Sequence, residues 1–219
     1  MLRIARAMHE EWPWLTFDAT IKVEHILERR ELFPELAALG CAFVVSAVES
    51  LSDVVLERLD KGHTRADVVE ALGILDAAGI PMRPSLLPFT PWTTLEDYRD
   101  LLTFVEERDM IEHFDPVHFS IRLLVPPGSS LLDRPDTADW LGPLDEAAFT
   151  YRWEHPSDPR LDELQRAIAA TVERAEREGE AAAETFARIK KRRGRQAGSR
   201  CRRRACAAAW PWRVSPCRG

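Results

Sequence analysis

Stretches that alternate apolar and polar residues recur along this chain, each followed by residues of helical period, and that order restricts the folds open to it. Leu15 to Val23 alternates strictly: Phe17, Ala19, Ile21 and Val23 fall on one side, Asp18, Thr20, Lys22 and Glu24 on the other. Ala42 to Ala47 is nearly continuously apolar, Ile80 to Leu87 sets Arg83 and Ser85 on one face, and Asp115 to Leu124 sets His118, Ser120 and Arg122 against Val117, Phe119 and Ile121. Helical periodicity covers Leu2 to Glu11, Glu24 to Gly40 with an interruption at Pro34, Ser52 to Leu59, Thr64 to Ala78 and Thr94 to about Arg108. Ser50-Leu51-Ser52-Asp53, Thr64-Arg65-Ala66-Asp67 and Thr94-Leu95-Glu96-Asp97 each fit a capping box. Pro81 and Pro84 predict irregular pairing in their strand. Strand–helix units in succession imply an α/β fold with a parallel sheet and right-handed crossovers. Four strands are two-thirds of a six-stranded barrel or half of an eight-stranded one, so a partial (β/α) barrel is expected over residues 1–135.

Beyond Asp136 the alternation stops. Trp140, Phe149, Tyr151 and Trp153 sit in a Pro-rich acidic segment, then a helix runs from Asp158-Pro159 to about Arg177 and, past Gly179, a further piece to Lys190. Residues 136–190 are expected to cover the barrel as a C-terminal helical layer, and residues 191–219 to form a basic, disordered tail. The tail, rich in Arg, Ala, Gly, Cys and Trp without period, has the composition of a GC-rich message read out of frame.

Charge follows the same division. Of the 30 Lys and Arg, residues 188–219 hold 12 and no Asp or Glu, which leaves 18 basic against 36 acidic groups in the body, a net of −18. Such a body argues against a nucleic-acid surface on the main domain. No apolar run reaches the length of a membrane span, and the N-terminus reads as an amphipathic helix, so a cytoplasmic protein with no membrane partner is expected. Cys41 opens an apolar strand as a small buried hydrophobe, and Cys201, Cys206 and Cys217 match no compact metal pattern, so no metal ligands are assigned.

A strand buried on both faces should be apolar throughout. The polar faces here, with Ser46 near the end of its strand and Glu49 just beyond, instead predict a wet lumen for a polar ligand, or an open sheet with that face in solvent. Individually, His118 reads as a hydrogen-bonded structural histidine or a ligand group. Lys22 reads as a salt-bridge partner of Glu24 or Glu49, or as a Schiff-base lysine. His63 belongs to the turn before a capped helix, and the Pro88-Phe89-Thr90-Pro91-Trp92 loop serves packing or substrate contact.

Val48-Glu49-Ser50-Leu51-Ser52-Asp53-Val54-Val55-Leu56, followed by Lys61-Gly62-His63-Thr64, resembles the V-E-S-G-S-D-x-V-L…K-G-H-T run of one branch of the radical SAM superfamily, with Leu51 in place of the glycine. Ile21 to His25, Pro88 to Thr94 and Ile121 to Ser129 are similar to a subgroup of uncharacterised radical SAM proteins with a Cys-Cys-Ala-Glu-Pro or selenocysteine tail, which is not present here. The resemblance, over residues 1–190, implies the third to sixth strands of a six-stranded barrel that binds a 4Fe-4S cluster and S-adenosylmethionine and generates a 5′-deoxyadenosyl radical. The Cys-x3-Cys-x2-Cys triplet that holds the cluster is absent from this sequence, so the chain reads as a C-terminal fragment, inactive alone, with a missing N-terminal half as a candidate partner. By position, the resemblance implies cofactor contact for Ser46, Glu49, Pro88, Thr90 and Arg122. Lys22, Glu24, Arg83 and His118 fall on the side of an unidentified small-molecule or peptide substrate. The alternatives are a Lys22-dependent barrel lyase and a non-catalytic interaction module whose basic tail binds an acidic partner.

Overall fold

The structure, a computed structural model, describes residues 2–196; Cys201, Cys206, Cys217 and most of the basic tail lie outside the described residues. Helix α1 (Leu2–Glu11) leads into strand β1 (Phe17–Thr20), short helices α2 (Val23–Glu28) and α3 (Phe33–Ala38), and strand β2 (Cys41–Glu49). Helices α4 (Asp53–Arg58) and α5 (Arg65–Ala77) follow, then strand β3 (Met82–Leu86) and helix α6 (Leu95–Glu107). The three strands form one parallel sheet in the order β1-β2-β3. The α/β reading therefore holds. The expected fourth strand does not form: Pro116–Phe119 is a 3-10 turn, and all that remains of a strand is an isolated parallel bridge between Phe89 and Arg122.

The reason lies at Asp115-Pro116. The Asp115 carboxylate accepts from the Val117 N–H at 2.9 Å, and Pro116 presets the first residue of the turn, so the chain tightens where alternation predicts extension. His118 and Ser120 consequently belong to a turn and its end, not to a strand face.

The helices form where their termini are satisfied locally. The capping boxes of α5 (Thr64 with Asp67) and α6 (Thr94 with Asp97) are both complete. That expected before α4 is not: the Ser50 hydroxyl accepts from the Ser52 N–H, and Asp53 instead accepts from the Arg65 N–H at 2.7 Å, which ties the start of α4 to that of α5. Pro34 starts α3, as proline at the first turn can, rather than interrupting a longer helix. Gly40, with φ of 98°, turns the chain into β2, where a Cβ would lie 2.7 Å from the Leu15 carbonyl oxygen.

Ala19, Val44, Val48, Met82 and Leu86 line the buried face of the sheet and join Ile26 from α2, Leu36 from α3 and Leu72 and Leu75 from α5 in one core. Pro84 is tolerated because β3 pairs through a ladder only with β2; the register runs regularly from Val44↔Met82 to Ala47↔Ser85 and shifts only before Glu49.

Residues 141–153 form an antiparallel hairpin of β4 (Leu141–Asp145) and β5 (Thr150–Trp153), which the acidic aromatic composition had hidden. Helix α7 (Arg160–Glu178) ends at left-handed Gly179, and α8 (Ala182–Gln196) continues past Lys190, where its end was expected. Leu161, Leu164 and Ile168 of α7 and Phe186 and Ile189 of α8 enter the same core as the sheet, so this helical cover is continuous with the interior.

Candidate functional site

The sheet has one covered and one open face. Asp18 and Thr20, then Phe43, Val45 and Ala47, then Arg83 and Ser85 occupy the open side, where every one of them is exposed or half-buried. Ser46 has the opposite parity. It lies between Val44 and Val48 on the helix-covered face, fully buried, with its hydroxyl lacking a hydrogen-bond partner among the described residues. Its expected place on the polar face is thus corrected by one residue of register.

At the carboxyl edge of the sheet, Glu49 adopts a left-handed conformation, φ 63°, that non-glycine residues rarely take. Its carboxylate accepts from Lys61 Nζ at 3.3 Å, and its carbonyl accepts from the Leu87 N–H at 2.7 Å. Lys61 is followed by Gly62, also left-handed, whose missing Cβ would stand 1.9 Å from Glu24 Oε1. Only glycine lets the Glu24 carboxylate approach that turn. Glu24, Glu49 and the Lys61-Gly62 turn are thereby brought together, with His63 Nε2 3.2 Å from the Val48 carbonyl oxygen securing the turn to β2. Lys22 is exposed and, among the described residues, pairs with neither Glu24 nor Glu49; Lys61 has taken the expected partner. An exposed lysine lacks the desolvation that activates a Schiff-base amine.

Further down the open face, Arg83, Ser85 and His118 meet in a cleft of about 390 Å³ together with Phe43, Val45, Glu112, His113 and Asp115. The Arg83 guanidinium stacks over the Phe43 ring at 4.0 Å. The Leu86 N–H donates to His118 Nδ1 at 3.3 Å, which places the proton of the neutral ring on Nε2. His113 Nδ1 lies 3.1 Å from the Met82 carbonyl oxygen and so carries its proton on that nitrogen. Sequence reasoning passes over Phe43, Glu112 and His113. Phe43 reads as one more apolar residue until the register sets it diagonal to Arg83, and the other two stand in a 3-10 turn that shows no alternation.

The remaining candidates make contacts within the fold. Pro88 and Thr90 are buried, and the Thr90 hydroxyl is shared with that of Thr93 at 2.8 Å. Arg122 donates to Asp162 at 2.5 Å and to the Trp153 carbonyl, and its guanidinium lies 3.5 Å from the centre of the Trp153 ring. These groups join β5 and α7 to the Phe89–Arg122 bridge, with one N–H of each terminal Arg122 nitrogen donated to protein.

An iron–sulfur cluster needs several exposed thiolates. Cys41 is the one cysteine among the described residues; it is buried at the start of β2, its thiol pushed up by burial and directed at the Phe43 carbonyl at 3.6 Å. The described residues do not fit such a cluster, and among them no group of three His, Cys, Asp or Glu gathers to hold a metal ion. Nor, among these residues, is any helix long and apolar enough to cross a membrane.

No family model matches the sequence, and no curated protein does. Among solved structures, the chain is similar to the cobalamin-dependent S-adenosylmethionine radical enzyme OxsB with aqua-cobalamin bound. The TM-score is 0.64 at 14% identity, over 87% of this chain and 35% of that one. The form of OxsB that also holds S-adenosylmethionine gives the same values. This chain therefore spans about a third of OxsB and shares the fold of that part. Elp3 of the archaeon Methanocaldococcus infernus, lacking residues 1–46, is similar at a TM-score of 0.41 and 18% identity over 54% of this chain and 27% of that one, too low to carry an argument.

Proposed function

We propose that this chain is part of a radical S-adenosylmethionine enzyme barrel, that its three strands form one wall of a lumen, and that the cluster ligands belong to another part of the enzyme. What supports the reading is the fold shared with part of OxsB across 87% of the chain, combined with the position of the Val48-to-Thr64 run in that fold. The run that resembles the family lies at the carboxyl edge of β2, where parallel α/β sheets build their sites. There the left-handed Glu49 holds the chain in a turn and presents a carboxylate fixed by Lys61. In this reading Glu49 orients the cofactor by accepting from its hydroxyl or amino groups, Gly62 and Glu24 shape the adjoining wall, and the helices behind the sheet exclude water. The cofactor, when bound to a complete barrel with its cluster, supplies a carbon radical; no step of that chemistry is assigned to residues of this chain.

The experiment is a titration of isotope-labelled protein with S-adenosylmethionine, followed through backbone amide NMR signals, alongside anaerobic reconstitution with iron and sulfide. Weak binding, with a Kd on the order of 1 mM, is expected to shift the amides of Glu49 to Ser52 and to be lost in Glu49→Ala. Reconstitution is expected to leave no stoichiometric cluster absorbance. A stoichiometric cluster on this chain alone, or an absence of shifts at β2 at saturating cofactor, overturns the reading.

A further inference from the structure

Arg83 is set apart from half of the arginines among the described residues. In a body with twice as many acidic as basic residues, Arg6, Arg30, Arg58, Arg65, Arg99, Arg122, Arg134, Arg152, Arg160 and Arg188 each stand within 4.0 Å of a carboxylate. Arg83 does not, although Glu112 and Asp115 line the same cleft. Its guanidinium carbon stands 4.0 Å from the centre of the Phe43 ring, and its N–H groups have no hydrogen-bond partner among the described residues. A stacked guanidinium is also held in orientation, so less side-chain entropy is lost when it binds.

Two further donors converge there. Ser85 stands two residues along β3 on the same face, and its hydroxyl has no hydrogen-bond partner among the described residues. His118 gives its Nδ1 to the Leu86 N–H, so its Nε2–H is the donor left for the cleft. A forked cation, a hydroxyl and an imidazole N–H in about 390 Å³ make a small-molecule oxyanion subsite. The acidic wall decides which oxyanion. The Asp115 carboxylate accepts from the Val117 N–H, and Glu112 is exposed on the rim. Two negative groups penalise a phosphate dianion more than a monoanion, and the planar fork of Arg83 matches a planar carboxylate.

We propose that Arg83, Ser85 and His118 form a subsite for the carboxylate group of a small-molecule substrate, with Phe43 as the platform that aims Arg83. The proposal rests on the reading of this sheet face as a lumen wall and names the substrate class that the wall would take.

The test uses the full chain and follows the Arg83 Nε–H and His118 ring signals by NMR while propionate or inorganic phosphate is added. Saturable shifts of both signals with propionate are expected, weaker by about tenfold or more in Arg83→Gln and partly restored in Arg83→Lys, because removing a charge-assisted partner costs at least one decade of affinity. Binding unchanged in Arg83→Gln, or tighter binding of phosphate than of propionate at Arg83, overturns the assignment. Arg83 is exposed, so the variants should fold, and unchanged amide spectra outside the cleft check that they do. Adding S-adenosylmethionine to the same samples separates the two readings. Loss of its β2 shifts in Arg83→Gln gives Arg83 to the cofactor and overturns the substrate assignment. Propionate binding without any cofactor binding leaves the subsite standing and removes the proposed function.

Discussion

Residues 17–107 and residues 111–158 are held together in different ways. In the first region, backbone pairs with backbone: the β1-β2-β3 ladder, two complete capping boxes and helices that end in satisfied turns. In the second, the ladder is confined to the β4-β5 hairpin, and the chain before it is tied down in large part by side chains from far along the sequence. Tyr98 donates to the Phe119 carbonyl at 3.0 Å, Gln165 to that of Ser120 at 3.0 Å and Trp153 Nε1 to that of Leu123 at 2.8 Å, while the Val125 N–H donates to Thr150 Oγ1 at 2.9 Å. His155 Nε2, 2.7 Å from the Thr93 carbonyl oxygen, fastens the end of the hairpin to the loop before α6. The stretch that alternation reads as a fourth strand is therefore a 3-10 turn and a short extended piece that joins no ladder beyond the Phe89–Arg122 bridge. Besides the backbone bonds that join Ile121 and Leu123 to Phe89, its backbone groups are met by side chains, whose contributions are lost one substitution at a time.

The largest effect that separates the two regions should come from the clamp at their boundary. Asp162 is 7% exposed, accepts from Arg122 and from the His155 N–H, and stands where β5, α7 and the Phe89–Arg122 bridge meet. Asp162→Ala leaves the Arg122 guanidinium without its counter-charge and should destabilise by about 3 kcal/mol, the order found when one partner of a buried pair is removed. Hydrogen exchange should show protection lost over residues 118–158 with β2 largely intact. Equal loss in β2 would mean that the second region is not separately held. The double variant Arg122→Met, Asp162→Leu should cost less than Asp162→Ala alone, because no charge is then left unpaired.

How legible each region was follows from the same distinction. Thr64-Arg65-Ala66-Asp67 and Thr94-Leu95-Glu96-Asp97 carry their own partners within four residues, so both helices could be read directly. Ser50-Leu51-Ser52-Asp53 has the same spacing and fails, because the left-handed Glu49 directs Ser50 back onto the turn and Asp53 toward Arg65. Asp115-Pro116 announced a turn as plainly as His118, Ser120 and Arg122 announced a strand, and the local signal prevailed where no neighbouring strand rewarded extension. Of the candidate site, Arg83, Ser85 and His118 were identifiable as polar residues of one face. That Phe43 aims Arg83, that Ser46 faces the helices and that Arg122 is consumed by Asp162 depend on register and on partners up to forty residues away, which periodicity does not encode.

A smaller effect tests the first region's reliance on local bonds. Thr64→Ala and Thr94→Ala each remove a hydroxyl that accepts from the third helical N–H, and each should cost about 1 kcal/mol. Ser52 occupies the same N-terminal position of α4 without a side-chain cap bond, so Ser52→Ala should change stability by less than about 0.5 kcal/mol. Urea denaturation of the three variants compares them. A cost at Ser52 equal to that at Thr64 would show that sequence position, not the bond, carries the effect.

The smallest expected effect is the response to acid. Asp145 and Asp158 in the second region are held below the ordinary carboxylate range of 3.8 chiefly by hydrogen bonds from Arg152 and Arg160. Burial pushes Asp136 up, but the bonds and charges of Arg134 and Arg58 outweigh it and the net shift is downward. Asp67 in the first region is lowered mainly by the Thr64 hydroxyl. A depressed folded pKa means that the unfolded chain takes up the proton first as pH falls. The stabilisation is therefore complete above 3.8 and is lost as pH drops through the lower folded values. Three such carboxylates in the second region against Asp67 and Glu35 in the first predict that hydrogen exchange at pH below 3.8 should loosen residues 134–160 before β2. All five groups are half-buried at the surface and in contact with water, so the difference should be modest and should shrink in high salt. If β2 loosens first, the side-chain bonds of the second region are sturdier toward acid than its single short ladder implies, and the contrast between the two regions lies in backbone pairing alone.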